Sequence, residues 1–521
     1  MTYRLGIDVG GTNTDAVILS PDGRVVAKVK RPVTEDVVTS IRTAVMDVVA
    51  ASGLDASVIR HAMLGTTQVT NAIIERRRLN RVGLVRIGAP ATLAIPPLTS
   101  WPVDLRRAVE HASVVVRGGF EFDGRPIAPL DLVAVADFVD RVRGEISALA
   151  VSSVFSPVNA EHELAVRDLV ARHWPDLPVS LSHEIGSIGL LERENATMLN
   201  AAVHDVALRA AGAFRDAVAQ AGLQAELFLT QNDGTLMTLD YAMHYPILTV
   251  ACGPTNSMRG ATYLSGVTEA VVVDVGGTST DIGVIRNGFP RESAMAVEVG
   301  GVRTNFRMPD LISLGLGGGS LVTGEGEAVH VGPQSLGYRL VSEGRSFGGP
   351  VLTFTDVANA VGAARIGHRD PDVALDLARA AYRRAVAMVE EGVDRIKTSA
   401  HEVPLVAVGG GSALLPDRLA GVSEVVRPDH YDVANAIGAA IAQVSGRTDR
   451  VYALEGRRRE DVLAEAQSLA EADAVRAGAD PRRLEVVQVE EIPLAYMPGN
   501  ATRVRVVVVG PLASGVVAAG G

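Results

Sequence analysis

With 521 residues, 47% of them hydrophobic, and a formal net charge of −11, the chain is too long for one compact core and too apolar for global disorder. Two or three domains are therefore expected. The negative balance argues against nucleic acid as a main partner, because phosphate backbones are held by Lys and Arg. Cys252 is the only cysteine, which excludes an internal disulfide, a CxxC redox pair and a cysteine-ligated cluster.

The chain opens on a strand-like run, Arg4 to Val9, with no signal-peptide pattern before it, and no apolar stretch reaches the ~18 residues of a membrane span. A soluble cytoplasmic protein is the expectation. IDVGGTNTD begins at Ile7 and VDVGGTSTD begins at Val273; seven of nine positions are identical, at an offset of 266. Each copy follows one apolar run and precedes another, with a turn and a further strand beyond: Pro21-Asp22-Gly23 in the first copy, Arg286-Asn287-Gly288 in the second. The repeated unit is thus an antiparallel meander with a Gly-Gly corner.

Residues 35–52 place Val37, Ile41, Val45 and Val48 on one helical stripe, with acids in the first turn and Gly53 past the end. His61 to Leu64 reads as a strand entering Gly65-Thr66-Thr67, then a short helix carrying Asn71. Strands are expected at 81–87, 148–155 and 178–182, with helical stretches between them. Later, Asp370-Pro371 opens a helix running to about Lys397, and the strand Leu405 to Val408 enters Gly409-Gly410-Gly411-Ser412. From residue 448 onward a charged helix (about Arg459 to Ala477) and two strand-like runs around Pro498-Gly499-Asn500 form a small appended α+β element, with Arg457-Arg458-Arg459 as a solvated face. The alternation of strands and helices predicts layered α/β domains.

A triphosphate requires close backbone N–H groups, hydroxyl donors, and carboxylates that hold a divalent cation. Each copy supplies all three. Gly10-Gly11 and Gly276-Gly277 allow close approach. Thr12, Asn13, Thr14 and Thr278, Ser279, Thr280 offer donors. Asp8 and Asp274 end strands, where they are placed to bind Mg²⁺, and Asp15 and Asp281 lie beyond the turn. The bland alternative is a hairpin whose Asp and Thr cap their own backbone, but it would have to occur twice, with a third glycine cluster at Gly409, Gly410, Gly411 and Ser412 suited to a nucleoside. No G-x-x-x-x-G-K-[ST] occurs, so a P-loop is excluded.

The segments between the loops resemble those of hydantoinase A / 5-oxoprolinase-type proteins, a family that includes N-methylhydantoinase A and the acetone carboxylase beta subunit. LGTTQVTNAIIER (Leu64 to Arg76), SPVNAEHE (Ser156 to Glu163), ERENATMLNA (Glu192 to Ala201), QNDGT (Gln231 to Thr235), LGLGGGS (Leu314 to Ser320), HVGPQSLG (His330 to Gly337) and LTFTDVANAVG (Leu352 to Gly362) occur in family order. The resemblance covers roughly residues 3 to 445. It implies an α/β fold of duplicated actin-like (ribonuclease H-like) ATPase domains with a nucleotide cleft between them. Divisions at 1–190, 191–445 and 446–521 are expected, the last being the small C-terminal element. Two features depart from the family: a short tail after about residue 446, and Ala251-Cys252-Gly253-Pro254-Thr255-Asn256 in place of the more usual Ser-Gly-Pro-Ala-Ala-Gly.

The activity so implied is ATP-dependent opening of a cyclic amide such as a hydantoin or 5-oxoproline, or the ATP-phosphorylating half of such a system beside a separate hydrolytic subunit, in a homo- or hetero-oligomer. A small-molecule kinase and a partner-dependent non-metabolic ATPase remain the competing readings. ATP and Mg²⁺ are the expected cofactors, with Asp8 and Asp274 on the metal. Thr66, Thr67 and Asn71 are candidates for substrate or γ-phosphate, or for ordinary helix capping. Gly317, Gly318 and Gly319, with Ser320, form either a second phosphate nest, the favoured reading, or a tight crossing of backbones. Asp310 and Asp356 are further acids or caps. His162, His183 and His330 lack any metal-binding spacing, and Cys252 reads as a buried small apolar residue.

Overall fold

Each of the two repeated Gly-Gly motifs forms a tight hairpin, because the Gly-Gly corner lets the backbone N–H of Gly10 reach the carbonyl of Asn13 (3.0 Å) and that of Gly276 reach Ser279 (2.9 Å). In both hairpins the flanking aspartates become cross-strand partners, Asp8 opposite Asp15 and Asp274 opposite Asp281. The computed structural model describes residues 2–33, 37–186, 188–293, 297–306, 308–324, 328–495 and 499–513.

The first hairpin (Tyr3–Val9, Asn13–Leu19) is extended by Val25–Pro32 on one side and by the parallel strands Ile59–Thr66 and Glu226–Thr230 on the other. The second hairpin (Ala270–Val275, Thr280–Arg286) repeats this. Phe289–Pro290 and Leu311–Leu314 flank its outer strand, and Val403–Val408 and Val422–Val426 run parallel on its inner side. Three antiparallel strands followed by two parallel ones is the ribonuclease H-like plan. Two copies facing across a cleft make the duplicated actin-like α/β fold that the family resemblance implies.

Between the fourth and fifth strands of the first sheet lies an inserted, wholly parallel four-stranded sheet, in the order Glu110–Arg117, Val82–Ala89, Ala148–Ser153, Val179–Leu181. Its central strand reads VGLVRIGA and is buried along its whole length, as a doubly covered parallel strand must be. Arg86, the one charge in it, pairs with Glu194 of helix Leu190–Ala202 (2.5 and 2.6 Å) with neither side chain exposed, so the insert is fastened to the rest of the chain by a buried ion pair.

The first sheet does not stop at its fifth strand. It continues through Leu236–Thr238 to Val444–Ala453, Ala501–Gly510 and Glu485–Pro493, reaching nine strands. It therefore draws on all three of the segments 1–190, 191–445 and 446–521. The C-terminal α+β element, with its helix Arg459–Ala477, is one wing of this sheet. The stripe at residues 37–52 becomes helix Val37–Ser52, burying Ile41, Ala44, Val45 and Val48; the acidic residues expected in its first turn, 35 and 36, lie outside the described residues, as does Pro498. Among the described residues no helix is long and apolar enough to cross a membrane.

Candidate functional site

The two loops meet tip to tip. Thr12 Oγ1 and Thr278 Oγ1 lie 3.1 Å apart across the cleft, and a Cβ on Gly277 would strike the Thr12 side chain. The cleft behind this contact has a volume of about 700 Å³. Of the residues expected there, Asp8, Gly10, Gly11, Thr12, Asn13, Thr67, Asn71, Asp274, Gly276, Gly277, Thr278, Ser279, Gly318, Gly409, Gly410 and Gly411 line it, as do Asp15 and Asp281.

Both strand-end aspartates sit against a glycine at the end of the neighbouring parallel strand. A Cβ on Gly65 would come 2.3 Å from Asp8 Oδ1, and a Cβ on Gly409, itself at φ +83°, would come 2.1 Å from Asp274 Oδ1. The duplication thus includes the glycine that makes room for the carboxylate. Asp8 accepts from Asn256 Nδ2 (3.2 Å) and Asn435 Nδ2 (3.0 Å); the same Asn435 amide donates to Asp15 Oδ2 (3.0 Å). Lys30, opposite Asp15 in the meander, donates to both Asp15 oxygens (2.8 and 2.9 Å) and to the carbonyl of Asp432 (2.9 Å). Ser257 Oγ donates to Asp274 Oδ2 (2.5 Å), and Ser313 Oγ donates to Asp281.

Burial pushes the Asp8 carboxyl up to about 6; the amides of Asn256 and Asn435 oppose the rise, while the charges of Asp15 and Asp274 add to it. Asp281 is likewise pushed to about 6 by burial, against the Ser313 hydrogen bond, and Asp15 and Asp274 are raised by burial too. Four carboxylates raised together, with the Lys30 ammonium as the only cationic side chain among the described lining residues, leave a deficit of positive charge. A divalent cation fits that deficit. Among the described residues no three His, Cys, Asp or Glu groups converge as a metal cage.

Several expected residues stand elsewhere. Thr14 and Thr280 do not line the cleft: both are fully buried, and Thr280 Oγ1 donates to the carbonyl of Leu316 (2.6 Å), because strand alternation turns these side chains into the sheet packing. Thr66 is buried and its Oγ1 accepts from the backbone N–H of Gln68 (3.3 Å), and Ser412 is buried behind its glycines.

Gly317, Gly318 and Gly319 are the tight backbone crossing and not an open phosphate nest. Their N–H groups are already spent on Ser320 Oγ (2.8 Å), the Gly276 carbonyl (3.0 Å) and the Gly277 carbonyl (2.7 Å), so they brace the second loop from behind. Asp356 closes a capping box with Thr353, and Asp310 pairs with Arg291 (2.6 Å). His183 pairs with Glu163 (2.6 Å), His162 accepts from the Gly119 N–H (3.0 Å), and neither they nor His330 line the cleft. Cys252 is buried, and burial pushes its thiol up to about 11.

Sequence reading missed Lys30, Asn256, Ser257 and Asn435, which hold the aspartates. It also missed the apolar wall at the other end of the cleft, formed by Tyr338, Leu340, Val341, Phe347, Ile366 and Leu414. Lys30 was within reach, as one of the chain's three lysines and the residue just past the expected meander strand Val25 to Val29.

Comparison with known proteins agrees with this architecture. Residues 4–174 match the hydantoinase/oxoprolinase N-terminal region, and residues 193–370 match hydantoinase/oxoprolinase. The chain is 28% identical over 385 residues to caprolactamase subunit alpha of Pseudomonas jessenii, covering 69% of this chain and 54% of that protein. It is 27% identical over 406 residues to the acetophenone carboxylase gamma subunit of Aromatoleum aromaticum, covering 71% and 53%. The chain thus spans about half the length of these curated relatives. In fold it is similar to the crystal structure of ATP-dependent caprolactamase from Pseudomonas jessenii (TM-score 0.78, 21% identity, 99% of this chain and 90% of that one). It is similar as well to nucleotide-free acetone carboxylase (TM-score 0.69, 17% identity, 98% and 88%). With both family regions matched in order along one chain that carries the duplicated loops, this protein belongs to the hydantoinase/oxoprolinase family.

Proposed function

We propose that the chain uses ATP to activate the carbonyl of a cyclic amide for ring opening, alone or as the phosphorylating subunit of a larger enzyme. What carries the reading is the face-to-face pair of glycine loops, Thr12 against Thr278, backed by four aspartates whose carboxyls are pushed upward. That is a site for a polyphosphate and its counter-cation, inside a family whose similar members include a caprolactamase subunit.

An amide carbonyl is a poor electrophile, and a small lactam ring is not strained enough to open quickly. Transfer of the γ-phosphoryl to the carbonyl oxygen breaks the bond between the γ-phosphorus and its bridging oxygen and leaves an imidate phosphate. Water then adds to the carbon, the C–N bond breaks as nitrogen takes a proton, and a second water releases phosphate. Lactam, ATP and two waters give the amino acid, ADP and phosphate. Catalysis of this kind is mostly positioning and charge stabilisation.

The backbone N–H groups of Gly11, Thr12, Gly277 and Thr278 approach the phosphates. Asp8 and Asp274 are the residues that would hold Mg²⁺, whose chemistry when bound is to neutralise phosphate charge. Asn256 and Asn435 hold the Asp8 carboxylate in place, and Lys30 does the same for Asp15. Gly409–Gly411 and the wall from Tyr338 to Phe347 suit a nucleoside. Thr67 and Asn71, on the far side of the loops, face the carbonyl substrate.

The test is ATP turnover by the purified chain with hydantoins, 5-oxoproline and lactams, with and without the product of the neighbouring gene. Asp8→Ala and Asp274→Ala are expected to reduce turnover at least about a hundred-fold, in line with the loss of one charge-stabilising group. Turnover indifferent to both substitutions overturns the site. A stable phosphorylated product would favour a kinase, and carbon dioxide fixation onto a ketone would favour a carboxylase subunit like the acetophenone relative.

A further inference from the structure

The two hairpins repeat each other, but the strands beside them differ at one position. In the first half Asp15 lies opposite Lys30, on Val25–Pro32. In the second half Asp281 lies opposite Ser313, on Leu311–Leu314. A neutral hydroxyl from Ser313 holds Asp281, so the aspartate at this place in the hairpin can be fixed without an ammonium. Lys30 adds what bracing does not require, a positive charge at the cleft.

That charge stands between the two halves. Lys30 Nζ donates to Asp15 Oδ1 (2.8 Å) and Oδ2 (2.9 Å) in the first half and to the Asp432 carbonyl (2.9 Å) in the second. Its side chain is 31% exposed, against 3% for Asp15, and it lines the cleft. It also borders the glycine cluster: a Cβ on Gly410 would come 3.4 Å from Lys30 Cε and 3.8 Å from Nζ. Gly410 carries no such atom, so that flank of the ammonium is uncovered.

An ammonium has three N–H donors, and all three are in use, but one is redundant. Asp15 Oδ2 also accepts from Asn435 Nδ2 (3.0 Å). It stays hydrogen-bonded if Lys30 turns that N–H away, and Oδ1 keeps its bond to Lys30. The Asp432 carboxylate makes no competing demand, because Lys28 holds it (2.7 and 2.9 Å). Among the described residues that line the cleft, Lys30 is the one cationic side chain. A polyphosphate entering there meets no other, and an ammonium binds phosphate through short, charge-assisted hydrogen bonds.

We propose that Lys30 is a phosphate-binding residue of the nucleotide site: the N–H that duplicates Asn435 turns to a phosphate oxygen, while the bonds to Asp15 Oδ1 and the Asp432 carbonyl remain. This rests on the ATP reading above and adds a named side-chain contact to it.

The test deletes the ion pair as a unit. Asp15→Asn/Lys30→Met removes one charge of each sign, so the net charge of the cleft is unchanged and no buried carboxylate is left unpaired. Affinity for MgADP and for a non-hydrolysable ATP analogue with Mg²⁺ is measured by calorimetry on the full chain, with the melting temperature as a check on folding. Asp15→Asn alone, which leaves the ammonium in place, is expected to bind as tightly as the parent or more so. The double variant is expected to bind about ten-fold or more weakly, as the loss of one hydrogen bond to a charged group predicts. A double variant as tight as the parent would make Lys30 only the counter-ion of Asp15 and overturns the proposal, as does a loss already complete in Asp15→Asn. Lys30→Gln, whose amide can still donate to the Asp432 carbonyl, is the milder second variant. It is expected to lose affinity for ADP but not for adenosine, which has no phosphate; an equal loss for both overturns the proposal while leaving the ATP reading intact. If the parent binds neither nucleotide, the ATP reading fails and this proposal with it.

Discussion

Asp281 stands half-buried in the cleft wall, opposite Asp274 in the second hairpin, and its carboxylate accepts from the Ser313 hydroxyl, with no ion-pair partner among the described residues. Burial pushes its carboxyl up to about 6. In the ligand-free protein this group binds a proton more tightly folded than unfolded, so its contribution to stability is complete below about pH 4 and is lost as pH rises through about 6. At pH 8 it is a destabilising charge in the ligand-free cleft. Asp281→Asn removes the charge, and the amide can still meet the Ser313 hydroxyl. Scanning calorimetry without nucleotide is expected to show a higher melting temperature at pH 8, by about 1–2 °C for a gain near 1 kcal/mol. The difference shrinks toward pH 4, and nucleotide-dependent stabilisation weakens in the variant. A variant less stable than the parent at both pH values would show that the carboxylate is structurally satisfied.

At the scale of elements, the aspartates are held from one crossing of two helices, Cys252–Ser265 and Ala434–Ile441. The first brings Asn256 to Asp8 and Ser257 to Asp274, and the second brings Asn435 to Asp8 and Asp15. The crossing is close because it is made on glycine. A Cβ on Gly438 would lie 1.8 Å from the Asn256 carbonyl oxygen, and a Cβ on Gly260 would lie 1.9 Å from that of Ala434. Neither obstacle is a side chain that can swing aside. Gly438→Ala must therefore push the helices apart, at a cost of about 1–3 kcal/mol or more, and carry Asn256 and Asn435 away from Asp8. The expected result is a lower melting temperature together with a loss of ATP affinity, read by nucleotide titration. Unchanged affinity in a folded variant would separate the crossing from the site. The phosphate loops were legible in the sequence because each is a local motif that shapes itself. Asn256 and Asn435 were not, since 179 residues separate them and nothing local marks either as facing an aspartate. The glycines of the crossing read, one at a time, only as weak points in a helix. The cluster at Gly317 to Gly319 is ambiguous in the sequence for a related reason: glycine density signals close approach, but not whether a ligand or another strand does the approaching.

At the scale of the molecule, the repeat made two facing sheets legible, while the fate of the last seventy residues was not. Periodicity identified the helix Arg459–Ala477 and the strands around it, but strand pairing across more than 200 residues leaves no local trace. The segment is built into the first sheet through strand Val444–Ala453, whose Val444 pairs with Leu236 just before it, while Arg447 within it reaches Asp233 (2.8 Å) and the strand pairs along its length with Ala501–Gly510. Its Val462, Ala466, Ala470, Val504, Val506 and Val508 belong to the same core as Leu5, Ile7 and Leu64 of the site-bearing strands. Removing residues 446–521 would uncover that core and strip the sheet of its last three strands. At about 1–2 kcal/mol per buried apolar side chain the loss is on the order of 10 kcal/mol, as large as the whole stability of an ordinary domain. A chain ending at residue 445 is therefore expected to be insoluble or to melt without a cooperative transition, even though every candidate ATP-site residue remains. If that shortened chain instead melts within a few degrees of the parent and still binds nucleotide, the wing is a separable addition, and the first sheet holds its loop on the strands of the duplicated fold alone.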